Sequence, residues 1–132
     1  MLRPGIESFC ICGMQDYRKL RVWRKAHELA LAVRRTANRL PRTGYASLRK
    51  QITTSAESIP FNIVEGCGAS SPKELGRFLD ISIKSTMELE YQLKLALDYG
   101  VLDEAEGKAL SGEVVDTRRM LCGLRAKVLA SA

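Results

Sequence analysis

His27 is the only histidine in this chain of 132 residues, so a Ser-His-Asp triad or a histidine-rich metal site is excluded by count. Hydrolytic or transfer catalysis needs a nucleophile with a base, a carboxylate pair in a cleft, or a metal, and the rest of the inventory for these is thin. Of four cysteines, Cys10 and Cys12 form one CxC pair while Cys67 and Cys122 stand alone. Zinc sites usually show two closely spaced pairs. Gly66-Cys67-Gly68 has neither the spacing nor the preceding strand of a phosphate-binding loop, and reads as a helix terminator. A di-metal carboxylate site would need Glu-x-x-His pairs, which are missing. The chain is therefore expected to hold no catalytic residue, no metal and no cofactor.

Charge offers chemistry of another kind. Lys and Arg number 21 against 15 Asp and Glu, a net charge of +6, yet the excess is uneven: residues 17 to 50 carry eleven cations and one acid, Glu28. On an ideal helix Arg21, Arg24, Lys25, Arg35 and Arg39 fall on one side, with Glu28 and Ala32 between them and Arg18 just before the helix. Such a ridge neutralises phosphates and releases their condensed counterions. Arg18, Arg21, Arg24, Lys25, Arg35 and Arg39 are thus the candidate nucleic-acid-binding residues. Only Tyr17 and Trp23 lie near enough for base stacking, so RNA or DNA would be held chiefly by its phosphates. Two blander readings stand beside this one: a solvated helix face, or a protein-interaction scaffold whose basic face contacts an acidic protein partner.

A second polar constellation lies further on. Ser58, Asn62 and Glu65 cluster along one side of a helix, and Glu88 and Glu90 flank Leu89 on the next. Asn62 falls on the expected buried stripe, where an unsatisfied amide costs roughly 1 to 3 kcal/mol. These five residues are expected to form a structural hydrogen-bond network joining helices two and three.

The elements that position these groups follow from apolar spacing. Val22, Ala26, Leu29, Val33, Thr36, Ala37 and Leu40 recur at steps of three and four, predicting helix one. Leu48, Ile52, Ser55, Ile59, Asn62 and Ile63 predict helix two, kinked near Pro60 and stopped by Gly66 and Gly68. Ser71-Pro72-Lys73-Glu74 is a helix start with N-cap serine, first-turn proline and capping-box glutamate. Its stripe is Leu75, Phe78, Leu79, Ser82, Thr86, Leu89, Leu93, Ala96 and Leu97, with Gly100 as terminator. Asp103 opens helix four, striped by Leu110, Val114, Thr117, Leu121, Leu124 and Val128. No strand pattern competes, and the expected fold is an all-α, antiparallel up-down-up-down four-helix bundle over residues 16–132.

Hydrophobic residues at 45% and charged residues at 27% suit a soluble single domain, and the longest uncharged run, Ser8 to Gln15, is far too short to span a membrane. Residues 1–15 lack helical periodicity and a secretory signal, and read as a loose tail with Met14 as a second possible start. Reduced thiols and a cytoplasmic location are expected. Phe61, Val64, Ile83, Met87 and Tyr91 form apolar strips outside the main stripes, as Val115, Cys122 and Leu129 do on helix four. One bundle core cannot hold them all, so the first five are the candidate oligomer interface.

The run from Asp16 to Ala26 (Asp-Tyr-Arg-Lys-Leu-Arg-Val-Trp-Arg-Lys-Ala), Ser58-Ile59-Pro60-Phe61-Asn62-Ile63-Val64-Glu65-Gly66, and Phe78-Leu79 with Met87-Glu88-Leu89-Glu90 resemble the bacterial four-helix-bundle proteins encoded in intervening sequences of 23S ribosomal RNA genes. The resemblance implies a small, cytosolic, non-enzymatic bundle that assembles as a ring-like or cone-like homopentamer. It also implies similarity to the basic accessory protein of diversity-generating retroelements, which works with a reverse transcriptase and nucleic acid. Where relatives commonly carry two arginines after the helix-two glutamine, this chain has Thr53 and Thr54 following Gln51 and Ile52, which leaves the helix-one ridge as the candidate surface.

Overall fold

The computed structural model describes residues 16–132, so the N-terminal segment 1–15, with Cys10 and Cys12, lies outside the described residues. A short 3-10 turn, Tyr17–Lys19, leads into α1 (Arg21–Asn38), followed by α2 (Ala46–Cys67), α3 (Pro72–Asp98) and α4 (Glu104–Ala130). All seven positions of the first predicted stripe, from Val22 to Leu40, are buried, although α1 itself stops at Asn38. The six stripe positions of α4 are buried as well. On α3 the periphery of the stripe is wetter than the spacing suggests: Phe78 and Leu97 are half-buried, while Leu79, Leu89, Leu93 and Ala96 are sealed.

The helix ends follow their local chemistry. Ser71 accepts the Glu74 amide at 3.1 Å and Asp103 accepts the Glu106 amide at 3.0 Å, each satisfying an otherwise orphaned first-turn donor. At the end of α3, Gly100 adopts a φ of +75°, its amide donating to Leu97 and the Val101 amide reaching back to Ala96. That paired return is a Schellman motif, and it needs the left-handed conformation that glycine adopts without strain. Pro60 sits within α2, which continues through it without interruption to Cys67.

Side-chain pairs give the relative directions. Asp80 and Glu90 of α3 meet Arg125 and Arg118 of α4; Lys25 of α1 and Arg39 just past its end meet Glu113 and Glu106 of α4; Ser58 and Ile59 of α2 meet Ser85 and Ser82 of α3. Numbers rise on one helix as they fall on its neighbour, so each of these neighbours is antiparallel, and α1 and α2 also pack together, closing the ring of four. The result is an all-α four-helix bundle with α1 and α3, and α2 and α4, on its diagonals.

The α2/α3 hairpin contains one of the close approaches that glycine makes in this bundle. A methyl group at Gly66 would lie 2.6 Å from Leu75 Cδ1 and 3.2 Å from Phe78 Cβ, so any larger residue there must push the Leu75 side chain aside and shift Phe78. Overpacking of this kind costs typically about 1–3 kcal/mol. By contrast, Gly112 lies inside α4 with nothing near a Cβ, where glycine costs about 0.5–1 kcal/mol relative to alanine. Gly66→Ala is therefore expected to lower the free energy of unfolding by about 1–3 kcal/mol and Gly112→Ala to raise it by about 0.5–1 kcal/mol, both measured by urea denaturation; a stabilising Gly66→Ala would refute the close-approach account.

Candidate nucleic-acid interface

The cations of α1 divide into two groups once α4 is in place. Lys25 pairs with Glu113, and Arg39 shares the Glu106 carboxylate with the buried Thr36 hydroxyl, which donates to it at 2.5 Å. Arg34, on the α2 side, lies 3.5 Å from Glu57. Arg18 is tied locally: Asp16 accepts from both its amide and its Nε at 3.0 Å. That contact holds the Asp16 carboxyl below the usual carboxylate range and raises the Arg18 guanidinium pKa. Arg24 and Arg35 are exposed and make no ion pair with a described residue, and Arg21 is exposed beside them.

Paired and unpaired cations alike are concentrated at one end. Arg18, Lys19, Arg21, Arg24 and Lys25 line one side of an open cleft of about 650 Å³, and Arg119 of α4 lines the other. Glu28 and Asp116 are its only acids, and Leu20 and Met120 its apolar lining. Arg119 lies 4.0 Å from Asp116, an exposed pair that leaves the guanidinium largely in water. Arg35 and Arg39 lie further along α1, outside this cleft. Six cations line this concavity against two lining acids, and counting also the Asp16 and Glu113 carboxylates that Arg18 and Lys25 meet, positive charge is still in excess, which suits a phosphate-bearing chain.

Two of the cleft residues, Lys19 and Arg119, are absent from the sequence-derived ridge. The visible signal for the second was the doublet Arg118-Arg119. On one helix these neighbours point apart: Arg118 turns inward to Glu90 at 2.8 Å and Thr86 at 3.5 Å, while Arg119 faces the cleft. Which of the two would meet α1 depends on the packing of α4.

The second constellation is placed partly together. Asn62 is half-buried at the edge of its stripe, its amide donating to the Ser58 carbonyl at 2.8 Å and the Ser58 hydroxyl at 3.0 Å. From α3, the Ser85 hydroxyl donates to Ser58 Oγ at 2.8 Å and the Ser82 hydroxyl to the Ile59 carbonyl at 2.8 Å. Glu90 joins Arg118 of α4 instead, and Glu65 and Glu88 are exposed outside this set. Of the apolar strip residues, Phe61, Met87 and Tyr91 are 66%, 59% and 62% exposed, while Val64 and Ile83 are half-buried.

Among the described residues no group of three or more His, Cys, Asp or Glu side chains could hold a metal ion, and no helix is long and apolar enough to cross a membrane.

Comparison with known proteins bears on the fold and on descent. The family model for the 23S rRNA-intervening sequence protein matches residues 18–123. The crystal structure of a protein with unknown function from the S23 ribosomal protein family of Bacteroides thetaiotaomicron VPI-5482 has a TM-score of 0.74 to this chain, at 24% identity, covering 79% of this chain and 97% of that one. At that identity the likeness is one of fold. No curated protein matches the chain.

The two thiols in the described residues differ in reactivity for physical reasons. Cys67, at the end of α2, is buried, and burial with a smaller effect from the Asp16 carboxylate pushes its pKa from 9.0 up to about 11; Cys122 is exposed on α4. In the native protein iodoacetamide at pH 8 is expected to label Cys122 and spare Cys67, read by peptide mass spectrometry, with equal labelling only after unfolding. Because the folded state holds the Cys67 proton more tightly, its contribution to stability is full below pH 9 and is lost as pH rises through 11.

Proposed function

The chain belongs to the 23S rRNA-intervening sequence protein family, and on that premise we propose that it is a non-enzymatic, self-associating protein that binds RNA by its phosphates in the cleft between α1 and α4. The observation that carries this reading is the convergence of Arg119 with Lys19, Arg21 and Arg24, beside the carboxylate-paired Arg18 and Lys25, on one cleft of about 650 Å³. A continuous ridge along α1 is a weaker ligand surface, because beyond the cleft Arg39 already answers Glu106 of α4 and Arg34 answers Glu57 of α2. The cleft keeps its cations at one end, where successive phosphates of a single backbone could meet them. Phosphate contact alone carries little sequence information, so affinity is expected to exceed selectivity.

Self-association is supported by a separate surface. Tyr91 and Met87 lie one turn apart on α3 and are more than half exposed, as is Phe61 on α2. Aromatic and Met side chains are enriched where subunits meet, and their burial there would leave the α1/α4 cleft open.

Binding of a 23S ribosomal RNA fragment, measured by filter retention across a salt series, is expected to fall steeply with ionic strength. Each neutralised phosphate contributes roughly 0.7–0.9 to the log–log slope. Arg24→Glu combined with Arg119→Glu should lower affinity at least about tenfold and flatten the slope by about 1.5–2, with helicity unchanged by circular dichroism, while Arg35→Glu leaves binding nearly intact. Undiminished binding by the double variant would reject the cleft.

For assembly, sedimentation of the full chain is expected to give a species heavier than one subunit, and Met87→Glu with Tyr91→Glu to reduce it to the monomer. A wild-type chain that sediments as a monomer at micromolar concentration would overturn this part of the proposal.

A further inference from the structure

Trp23 and His27 are four residues apart on α1, so their side chains rise on the same face one turn from each other. Their rings are stacked, with centroids 5.0 Å apart and planes inclined by 17°. Tyr17, from the preceding turn, meets Trp23 edge-on with centroids 4.9 Å apart, and the Arg18 guanidinium lies 5.9 Å from the Tyr17 ring centre. Three rings from two elements thus form one column. Tyr17 and Trp23 are half-buried and pack against the core, whereas His27 is exposed. The inner rings are accounted for by packing. The imidazole is not: it is exposed and makes no hydrogen bond to a described residue, with Leu31, half exposed, one turn further along α1.

The position of the column beside the cleft gives that face a use. Arg18 directly follows Tyr17, Arg24 directly follows Trp23 and Glu28 directly follows His27, so column and cleft are built from the same stretch of chain, one on each flank of it. An exposed flat ring next to a concentration of cations is the combination by which single strands are held, with phosphates in the groove and bases laid on rings. Stacking accepts any base, since each has a π-face. In a duplex the bases are already stacked on one another, and their faces could not reach the imidazole.

Resting on the RNA-binding reading above, we propose that the ligand is single-stranded RNA, one base of which stacks on the outer face of His27 while neighbouring phosphates occupy the α1/α4 cleft. The base then extends the Tyr17–Trp23–His27 column by one member. Trp23, the only tryptophan in the chain, reports on the event from inside the column.

The full-length protein is titrated with a 12-nucleotide oligoadenylate and with an abasic ribose-phosphate oligomer of the same length, following Trp23 fluorescence and the anisotropy of the labelled oligomer. The oligoadenylate is expected to bind at least about fivefold more tightly than the abasic oligomer and to quench Trp23. His27→Leu keeps an aliphatic cover over Trp23 and removes the outer ring face. It should bring the oligoadenylate down to the affinity of the abasic oligomer, which itself binds as to wild type. Equal affinities for the two oligomers without quenching, or a base-dependent advantage that survives His27→Leu, overturn the stacking proposal while the phosphate reading stands. Failure of both oligomers to bind overturns the phosphate reading and the stacking with it.

Discussion

The contact between α1 and α4 does two things at once, and the surface chemistry of the protein depends on how they are combined. Apolar side chains along α1, among them Val22, Ala26, Leu29 and Val33, are buried to within a few per cent and hold the helix in place. Burying such a side chain contributes about 1.5–3 kcal/mol, whereas an exposed ion pair contributes about 0–1 kcal/mol. Packing therefore sets the register, and the pairs Lys25–Glu113 and Arg39–Glu106 are consequences of it. Those pairs remove cations from circulation along much of the α4 side of α1. Near the helix start α4 presents Arg119 beside Asp116, and there the cations of the turn and of α1 gather with it in a concavity.

The α2/α3 hairpin works by a different physics. Its interface holds small and hydroxylated residues: Gly66 admits Leu75 and Phe78 at close range, and Ser82 and Ser85 of α3 donate to Ile59 and Ser58 of α2. Each hydroxyl is satisfied across the helix pair, so polar groups near the core carry little desolvation penalty and favour one register over its neighbours. The string from Ser58 to Gly66 can be read in these terms. Ser58 and Asn62 make the polar clamp, Ile59 and Ile63 fill the core, and Gly66 permits the approach. Phe61 and Glu65 point to solvent and belong to surface chemistry.

With two helix pairs built on such different contacts, the outer surface separates into distinct regions. Cations gather at the α1 start with Arg119, an aromatic column stands on the adjoining flank, and large apolar side chains are exposed on α2 and α3. The surfaces proposed for RNA and for a second subunit therefore share no residue.

Spacing and end signals alone determined the four helices, since a 3.6-residue apolar period, Ser71-Pro72 and Asp103 are local properties of the chain. They also determined most of the core, and the presence of a cationic first helix. The site was legible only in part, because pairing between helices is not local. Glu113 and Glu106 are more than 60 residues from the cations they meet, and no pattern in α1 announces them. The network partners Ser82 and Ser85 were hidden for the same reason, as serines on a helix signal a hydrogen bond only when a facing acceptor is known. Glu90 went to α4 because its position on α3 faces Arg118. Tertiary packing alone decided which arginine of the Arg118-Arg119 doublet joins the cleft: adjacent residues on a helix point about 100° apart, and only the placement of α1 against α4 selects between them.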